Sequence, residues 1–570
     1  MKSSFHFFQR TQILIMAAFI IASSSFYTKA EAPENYMISA ANPLAAKAGY
    51  DILARGGSAV DAAIATQLVL TLVEPQSSGI GGGAFMVHFN SQTKSVDTFD
   101  GREMAPANVK EDHFLKADGN PKKFYEAVVG GGAVGAPGAV AMLELAHKEY
   151  GNLPWADLFN AAIQLSEDGF AISPRLHFLL ARDKYLKTKS KAATYFYQKD
   201  GTAKPAGTIL KNPLLAQSLK TIAAGGAKAF YTGGIAQKII TAVQSDPSNP
   251  GLLTLTDLNN YRAKKRDPVC ASYRTAQICG MGPPTSGGVT SIQILKLLEN
   301  KNLATLKPGS IEAINLISEA SALAFADRGK FLADADFVDV PVSELLDSGY
   351  IAKRSALITA GSSAIPYKAG APSQRAGRLT PDDAIELPST SHFSIVDGQG
   401  NAISMTTSVE NVFGSRLMAG GFILNNQLTD FSFRPSGDDG PVNNRIQPKK
   451  RPRSSMTPTI VLDEENNLLL AIGSPGGSRI IGYVTKTIIG VLDWKLPIQD
   501  AVDFPHFVNR NGTLDLEEGT PVAAYKTDLE KMGYKVKLRN LNSGLHGIMV
   551  TPDGLQGGAD HRREGVVLGH

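Results

Sequence analysis

The sequence predicts a mixed α/β (α+β) protein, and three observations predict it. Apolar residues recur at helical spacing through 42–54, 59–72 and most of 138–330. From residue 392 the pattern switches to strands, with β-branched runs on either side of the turn Gly398-Gln399-Gly400. Apolar residues make up 43% of 570 positions, enough for a large core, and charged residues only 19%. A net charge of +4 over this length excludes the electrostatic footprint of a nucleic-acid binder. Gly and Pro are frequent without a period, which excludes collagen, and no repeat of 20–50 residues occurs.

Residues 1–30 start the chain with Lys2 and Arg10, continue through an apolar run at 13–22 and exit through Ser23-Ser24-Ser25 and Ala30. That order describes a secretory signal, cleaved near Ala30; the alternative is an uncleaved anchor, for which the run is short of the roughly 20 residues a span needs. No later segment has a comparable apolar run, so no stable membrane span is expected once the signal is removed. Export points to a periplasmic or secreted protein. Of the two cysteines, Cys270 and Cys279 bracket eight residues that suit a hairpin, and a structural disulfide is expected in an oxidising compartment. Structural zinc wants four Cys or His ligands, and the sequence offers no such cluster.

Two helices at 42–54 and 59–72 lead to Gly79-Ile80-Gly81-Gly82-Gly83 and a strand at 84–89. Helices are expected at 139–148, 155–167, 213–223 and 235–243, most closed by Gly or Pro. Gly130, Gly132 and Gly135 match G-x-G-x-x-G, but Pro137 and a helix follow and no second strand ends in an acid, so a helix-entry turn is expected. Residues 357–388 carry Pro366, Pro372, Pro381 and Pro388 and read as a mobile surface stretch. Strands follow at 392–397, 401–407, 456–462 and 467–472, and a helix at 479–492. G-x-S-x-G and H-E-x-x-H are absent, which removes the commonest α/β-hydrolase and zinc-protease signatures.

The informative stretch is Leu387-Pro388-Ser389-Thr390-Ser391-His392, where the Pro-rich segment meets the first strand of the second half. A threonine hydroxyl needs a base, and an α-amine with a pKa near 8 is one. Cleavage before Thr390 would put nucleophile and base on one residue. Read locally, the same residues also describe an ordinary loop-to-strand junction.

The stretch Thr390-Ser391-His392-Phe393-Ser394 and then Asn425-Asn426-Gln427-Leu428-Thr429-Asp430-Phe431-Ser432 resembles the small subunit of γ-glutamyltranspeptidases (glutathione hydrolases). Other matching motifs lie in family order: 100–106 (DGREMAP), 282–288 (GPPTSGG), 324–328 (AFADR), 453–459 (RSSMTPT) and 473–479 (GSPGGSR). The resemblance implies a four-layer αββα N-terminal-nucleophile hydrolase sandwich, built jointly by two subunits cut from one precursor between Ser389 and Thr390. The large subunit would span 31–389 and end in the linker 357–389; the small one would span 390–570, and the two would remain a heterodimer forming one intertwined domain. Substrates would be γ-glutamyl donors such as glutathione and amine acceptors, with no cofactor or metal.

By the same resemblance Thr390 is nucleophile and, through its amine, base. Gly476 and Gly477 would offer backbone N–H groups to the oxyanion, and Ser408 would support the nucleophile. Arg102, Ser454 and Ser455 would take the α-carboxylate; Asp430, helped by Gln427, the ammonium. The alternatives are an Arg102 spent on a surface ion pair, a Gly pair serving only as a turn, and serines in a solvated basic loop after 449–453. The chain departs from the family at Ser408-Val409-Glu410, where well-known members resemble Thr-x-Asn. Glu410 replaces an amide by a carboxylate and resembles the branch containing capsule poly-γ-glutamate transpeptidases. The segment between Asp430 and Ser454 looks shorter than in members with a closing lid and lacks a Tyr through 431–440, so an open pocket in which hydrolysis outweighs transfer is expected. The competing functions are a capsule-type transpeptidase, a glutaryl acylase of the same fold, and an inactive secreted binding homologue.

Overall fold

The structure, a computed structural model, describes residues 35–372, 378–382, 384–387 and 389–569. The signal expected at 1–30 and the leader as far as Glu34 lie outside the described residues.

Two antiparallel sheets form the centre. Their strands in chain order are β1 (Met37–Ala40), β2 (Gly83–Asn90), β3 (Ser95–Gly101), β4 (Lys264–Arg266), β5 (Val269–Tyr273), β6 (Ala276–Gly280), β7 (Ser391–Val396), β8 (Ala402–Ser408), β9 (Thr459–Leu462), β10 (Leu468–Gly473), β11 (His546–Thr551), β12 (Gly554–Ala559) and β13 (Val566–Gly569). The first sheet runs β13-β1-β7-β8-β2-β3-β4 and the second β12-β11-β10-β9-β6-β5. They pack face to face, β7 and β8 against β10 and β11. Helices α1 (Pro43–Leu53) and α2 (Ala59–Val73) cover the outer face of the first sheet. Helices α3 (Gly287–Leu298), α4 (Ile311–Phe331) and α5 (Ile480–Leu492) lie on the second. This is the four-layer αββα order expected from the resemblance, and each sheet interleaves strands from before and after Thr390.

Side-chain period decides how the layers meet. Along β7, Phe393 and Ile395 point into the core beneath α1 and α2, and Ile403 and Met405 of β8 join them. Of the alternate residues, which face the second sheet, Ser394 of β7 and Ser404 of β8 are polar yet fully buried, as is Ser39 of β1. Each finds a partner: Ser394 Oγ donates to the His546 carbonyl (3.0 Å), Ser404 Oγ to the Ile472 carbonyl (2.9 Å) and Ser39 Oγ to the Gly558 carbonyl (2.7 Å). Under β2 the layer turns apolar, through Phe85, Val87 and Phe89.

Every residue of α2 is buried, and the helix opens on a capping box between Ser58 and Asp61. The expected helix at 155–167 divides into a 3-10 turn at Trp155–Phe159 and a helix at Asn160–Asp168. The strand expected from 456 begins only at Thr459, because Pro458 has no N–H for the ladder. The region 138–330 also holds β4, β5 and β6, which helical spacing alone did not show. The glycine motif at 130–135 is a turn ahead of the helix Ala139–Tyr150.

Cys270 and Cys279 sit directly opposite one another on β5 and β6 and are joined as a disulfide, with Cα atoms 4.2 Å apart. Replacing both by serine is expected to lower the unfolding free energy by about 2–3 kcal/mol for a loop this short, seen as a lower midpoint of chemical unfolding. An unchanged midpoint contradicts that expectation.

Candidate active site

Thr390 is the residue before β7, in the middle of the first sheet, and only 4% exposed. Its φ is +91°, a left-handed backbone in which a β-branched residue is strained by roughly 1–3 kcal/mol. Four contacts over-determine that conformation. The Ser389 carbonyl accepts from the Gly476 N–H (3.2 Å), and Ser389 Oγ donates to the Gln76 carbonyl (3.0 Å). The Thr390 carbonyl accepts from Arg563 Nη1 (2.9 Å), and Thr390 Oγ1 lies 3.2 Å from Ser408 Oγ. Ser408 Oγ also accepts from the Glu410 N–H (2.8 Å), which leaves its own proton free for Thr390. Gly476 and Gly477 have φ of +140° and +61°, and a Cβ on Gly477 would stand 2.6 Å from the Leu387 carbonyl oxygen.

One narrow cavity of about 20 Å³, room for about one water, opens onto Thr390 and is lined by Arg102, Ser408, Glu410, Gln427, Asp430, Ser454, Ser455 and Gly477. Arg102 is fully buried, so the surface-pair alternative fails. Its Nη2 donates to Asp430 Oδ2 (2.5 Å) and to the Arg453 carbonyl (2.8 Å), and Nε to the Pro452 carbonyl (3.0 Å). Gln427 Nε2 donates to the same Asp430 oxygen (2.7 Å). The residues assigned to opposite ends of an amino-acid head are therefore paired with each other in the uncut chain. Burial pushes the Asp430 carboxyl up to about 6 against the pull of Arg102. Burial, and then the charge of Asp430, push Glu410 well above the carboxylate range; Asn426 bonds one of its oxygens and the other has no partner. Burial raises Glu103, 3.6 Å from Arg102, to about 8.

Only Lys449 of the basic loop at 449–453 is exposed: Lys450, Arg451 and Arg453 are buried. Arg451 pairs with Asp100 (3.2 Å) and Arg453 with Asp382 (2.7 Å). That packing brings Ser454 and Ser455 inside. Ser455 Oγ bonds Arg328 Nη2 (2.6 Å) and Glu386, and Arg328 Nη2 bonds Glu386 in turn (2.5 Å). The described part of 357–389 has no helix or extended strand, as its prolines suggest, but it is not merely surface: the Asp382 side chain is fully buried. Glu386 and Leu387 fill the floor of the cavity. Burial works against ionisation of Glu386, but Arg328 and Arg453 overcome it and hold its carboxyl down at about 2.

Sequence reasoning did not single out Glu386, Arg328 or Arg563. Arg328 lay in a quoted motif without a role; Glu386 and Arg563 are ordinary charges until the fold brings them to Thr390. Among the described residues, Asp503, Asp560 and His561 group as metal-type ligands with atoms within 4.8 Å. They lie outside this cavity, and Asp560 is bonded to Arg562 and Ser543, His561 to Asp503.

Residues 45–570 match the model of the gamma-glutamyltranspeptidase family. The glutathione hydrolase proenzyme of Escherichia coli (strain K12) is 37% identical over 542 residues, 92% of this chain and 90% of that protein. That of Bacillus subtilis (strain 168) is 35% identical over 555 residues, 95% and 93% of the two chains. Among solved structures, cephalosporin acylase from Bacillus halodurans superposes with a TM-score of 0.79 at 26% identity, over 94% of this chain and 96% of that one. With a Thr390-centred cavity between two stacked sheets and this breadth of likeness, the chain belongs to the gamma-glutamyltranspeptidase family of N-terminal-nucleophile hydrolases.

Proposed function

We propose that the chain is an exported γ-glutamyltransferase and glutathione hydrolase that cuts itself between Ser389 and Thr390. The observation that carries this reading is the junction itself: a strained Thr390 whose hydroxyl meets Ser408, next to a carbonyl already bonded by the Gly476 N–H. Attack of Thr390 Oγ1 on the Ser389 carbonyl carbon forms an oxyanion at that N–H. Collapse breaks the Ser389–Thr390 C–N bond, the nitrogen takes the proton, and the resulting ester is hydrolysed by water. Release relieves the left-handed strain and frees an α-amine.

In the cut enzyme that amine takes the proton of Thr390 Oγ1 as it attacks a γ-glutamyl carbonyl. Gly476, vacated by Ser389, and Gly477 offer N–H groups to the new oxyanion; each such donor is worth about 3–4 kcal/mol in acyl transfer. The Thr390 ammonium returns its proton to the leaving amine, and water or an amine resolves the γ-glutamyl ester. Arg102, Ser454 and Ser455 face the α-carboxylate, and Asp430, Gln427 and Glu410 the ammonium. The segment after Asp430, which lacks a tyrosine through 431–440, is read as too short to close over the cavity, which favours water as acceptor. The disulfide supports an oxidising, periplasmic or secreted location. No described helix is long and apolar enough to cross a membrane.

A second reading, a glutaryl-type acylase, draws on the likeness to cephalosporin acylase. Asp430 and Glu410 weigh against it, because a glutaryl group brings no ammonium to two buried carboxyls.

Active material is expected to show two bands on a denaturing gel, the smaller beginning at Thr390, and Thr390→Ala to remain one inactive band. A single intact band in active enzyme rules out self-cleavage. Asp430→Asn is expected to cost at least a hundredfold in kcat/KM on γ-glutamyl anilides and to narrow the gap to the glutaryl anilide. If wild-type enzyme turns over the glutaryl compound faster, the acylase reading replaces this one. Both the α-amine, near pH 8, and Asp430, near 6, must be deprotonated to bind and attack. The plot of log kcat/KM against pH should therefore rise with slope two below about pH 6 and slope one from there to about pH 8, where it levels off. Asp430→Asn should keep slope one throughout; slope one in wild type down to pH 5 contradicts the role of Asp430.

A further inference from the structure

A second cavity, about 340 Å³, adjoins the first and shares Glu386 with it. Four arginines line it: Arg328, Arg453, Arg510 and Arg539. Three carboxylates face them. Asp515 belongs to the small-subunit half and already serves Arg539 (2.7 Å) and Arg479 (3.1 Å). The other two come from the segment that ends at Ser389. Asp382 lies 2.7 Å from Arg453, and Glu386 2.5 Å from Arg328 and 3.5 Å from Arg453. Fully buried Arg453 also keeps an Nε–H without a partner. Arg510 is bound by Ser478 Oγ (2.6 Å), with Asp515 3.8 Å away.

We propose that this cavity is a second carboxylate subsite, held in the uncut chain by Asp382 and Glu386 and filled in the cut enzyme by an acidic group of the substrate beyond its γ-glutamyl head; the proposal rests on the self-cleavage reading. Glu386 bonds Ser455, a residue of the γ-glutamyl cavity, and Asp382 reaches Arg453 beyond it. The linker thus places two carboxylates in succession, Asp382 in the second cavity and Glu386 where the two cavities meet. Cleavage makes that segment a free end, and its departure leaves four guanidinium groups facing Asp515 alone. Guanidinium pairs with carboxylate in a planar two-bond geometry, so a carboxylate-bearing leaving group is the ligand class that restores the balance. A neutral leaving group leaves buried cations unpaired, and selectivity follows from that penalty.

The test compares γ-glutamylglycine with γ-glutamylglycinamide, whose leaving groups differ in that only the first bears a carboxylate. Cut wild-type enzyme is expected to favour the glycine donor at least tenfold in kcat/KM. Arg510→Gln, at a side chain 35% exposed, is expected to shrink that ratio at least fivefold; Arg539→Gln checks the same wall. Equal rates in wild type, or a ratio unmoved in both variants, overturn the subsite. A denaturing gel scores cleavage separately. Should the chain stay intact, Thr390→Ala is compared with the same variant also carrying Asp382→Asn and Glu386→Gln, by calorimetric titration with N-acetylaspartate. Binding confined to the variant without linker acids supports the subsite, and no binding to either overturns it.

Discussion

Thr390, on the C-terminal side of the Ser389–Thr390 peptide bond, is held in a backbone conformation that it would not choose alone. Thr390 is β-branched and left-handed, yet it leads directly into β7, which is hydrogen-bonded to β1 on one side and β8 on the other. A central strand cannot yield to relieve the strain, because slipping its register would turn Phe393 and Ile395 away from the α1–α2 core. The strained residue is therefore fixed from the strand side by sheet pairing. From the loop side it is fixed by the Gly476 N–H, the Gln76 carbonyl and Arg563. Local strain persists where the surroundings over-determine it, and here they do so at the one bond the proposed chemistry must break.

The same rigidity explains why the polar layer between the sheets is affordable. Ser39, Ser394 and Ser404 would weaken a sandwich whose sheets could slide, since each unpaired hydroxyl would carry its full desolvation cost. With partners at 2.7–3.0 Å they lock the sheets in one alignment instead. That alignment carries Gly476, on the turn after β10, to within hydrogen-bonding distance of Ser389, at the entry to β7. The oxyanion donor and the nucleophile belong to different sheets, so the inter-sheet bonds set the distance between them.

Much of this was legible in the sequence, and the reasons differ by residue. Helical spacing and the Gly398-Gln399-Gly400 turn sufficed for α1, α2, β7 and β8: α1 keeps an exposed face that its apolar period records, while α2, β7 and β8 are buried throughout and were legible from their apolar or β-branched runs and the turn between the strands. Thr390, Arg102, Asp430, Ser454 and Ser455 could be singled out because short motifs carried them in a recognisable order. Glu386 and Arg328 could not, since their significance is a pairing between two segments 58 positions apart that only the folded chain brings together. The basic loop at 449–453 misled for the related reason that burial of a charge depends on its partners. Asp100 and Asp382 allow Arg451 and Arg453 inside.

Charge balance then links the uncut chain to its proposed activity. Arg102 is satisfied within its own cavity by Asp430, but Arg328 and Arg453 depend on carboxylates from the segment that cleavage would release. Buried ion pairs gain little over apolar contacts while both partners stay, and lose heavily when one leaves. The linker acids consequently let the precursor fold around a cationic cavity without exposing it. One of them, Glu386, also lines the Thr390 cavity, which has room for about one water. An uncut chain is closed to substrate by volume as well as by chemistry, because the groups that would recognise a ligand are already occupied by the chain's own carboxylates.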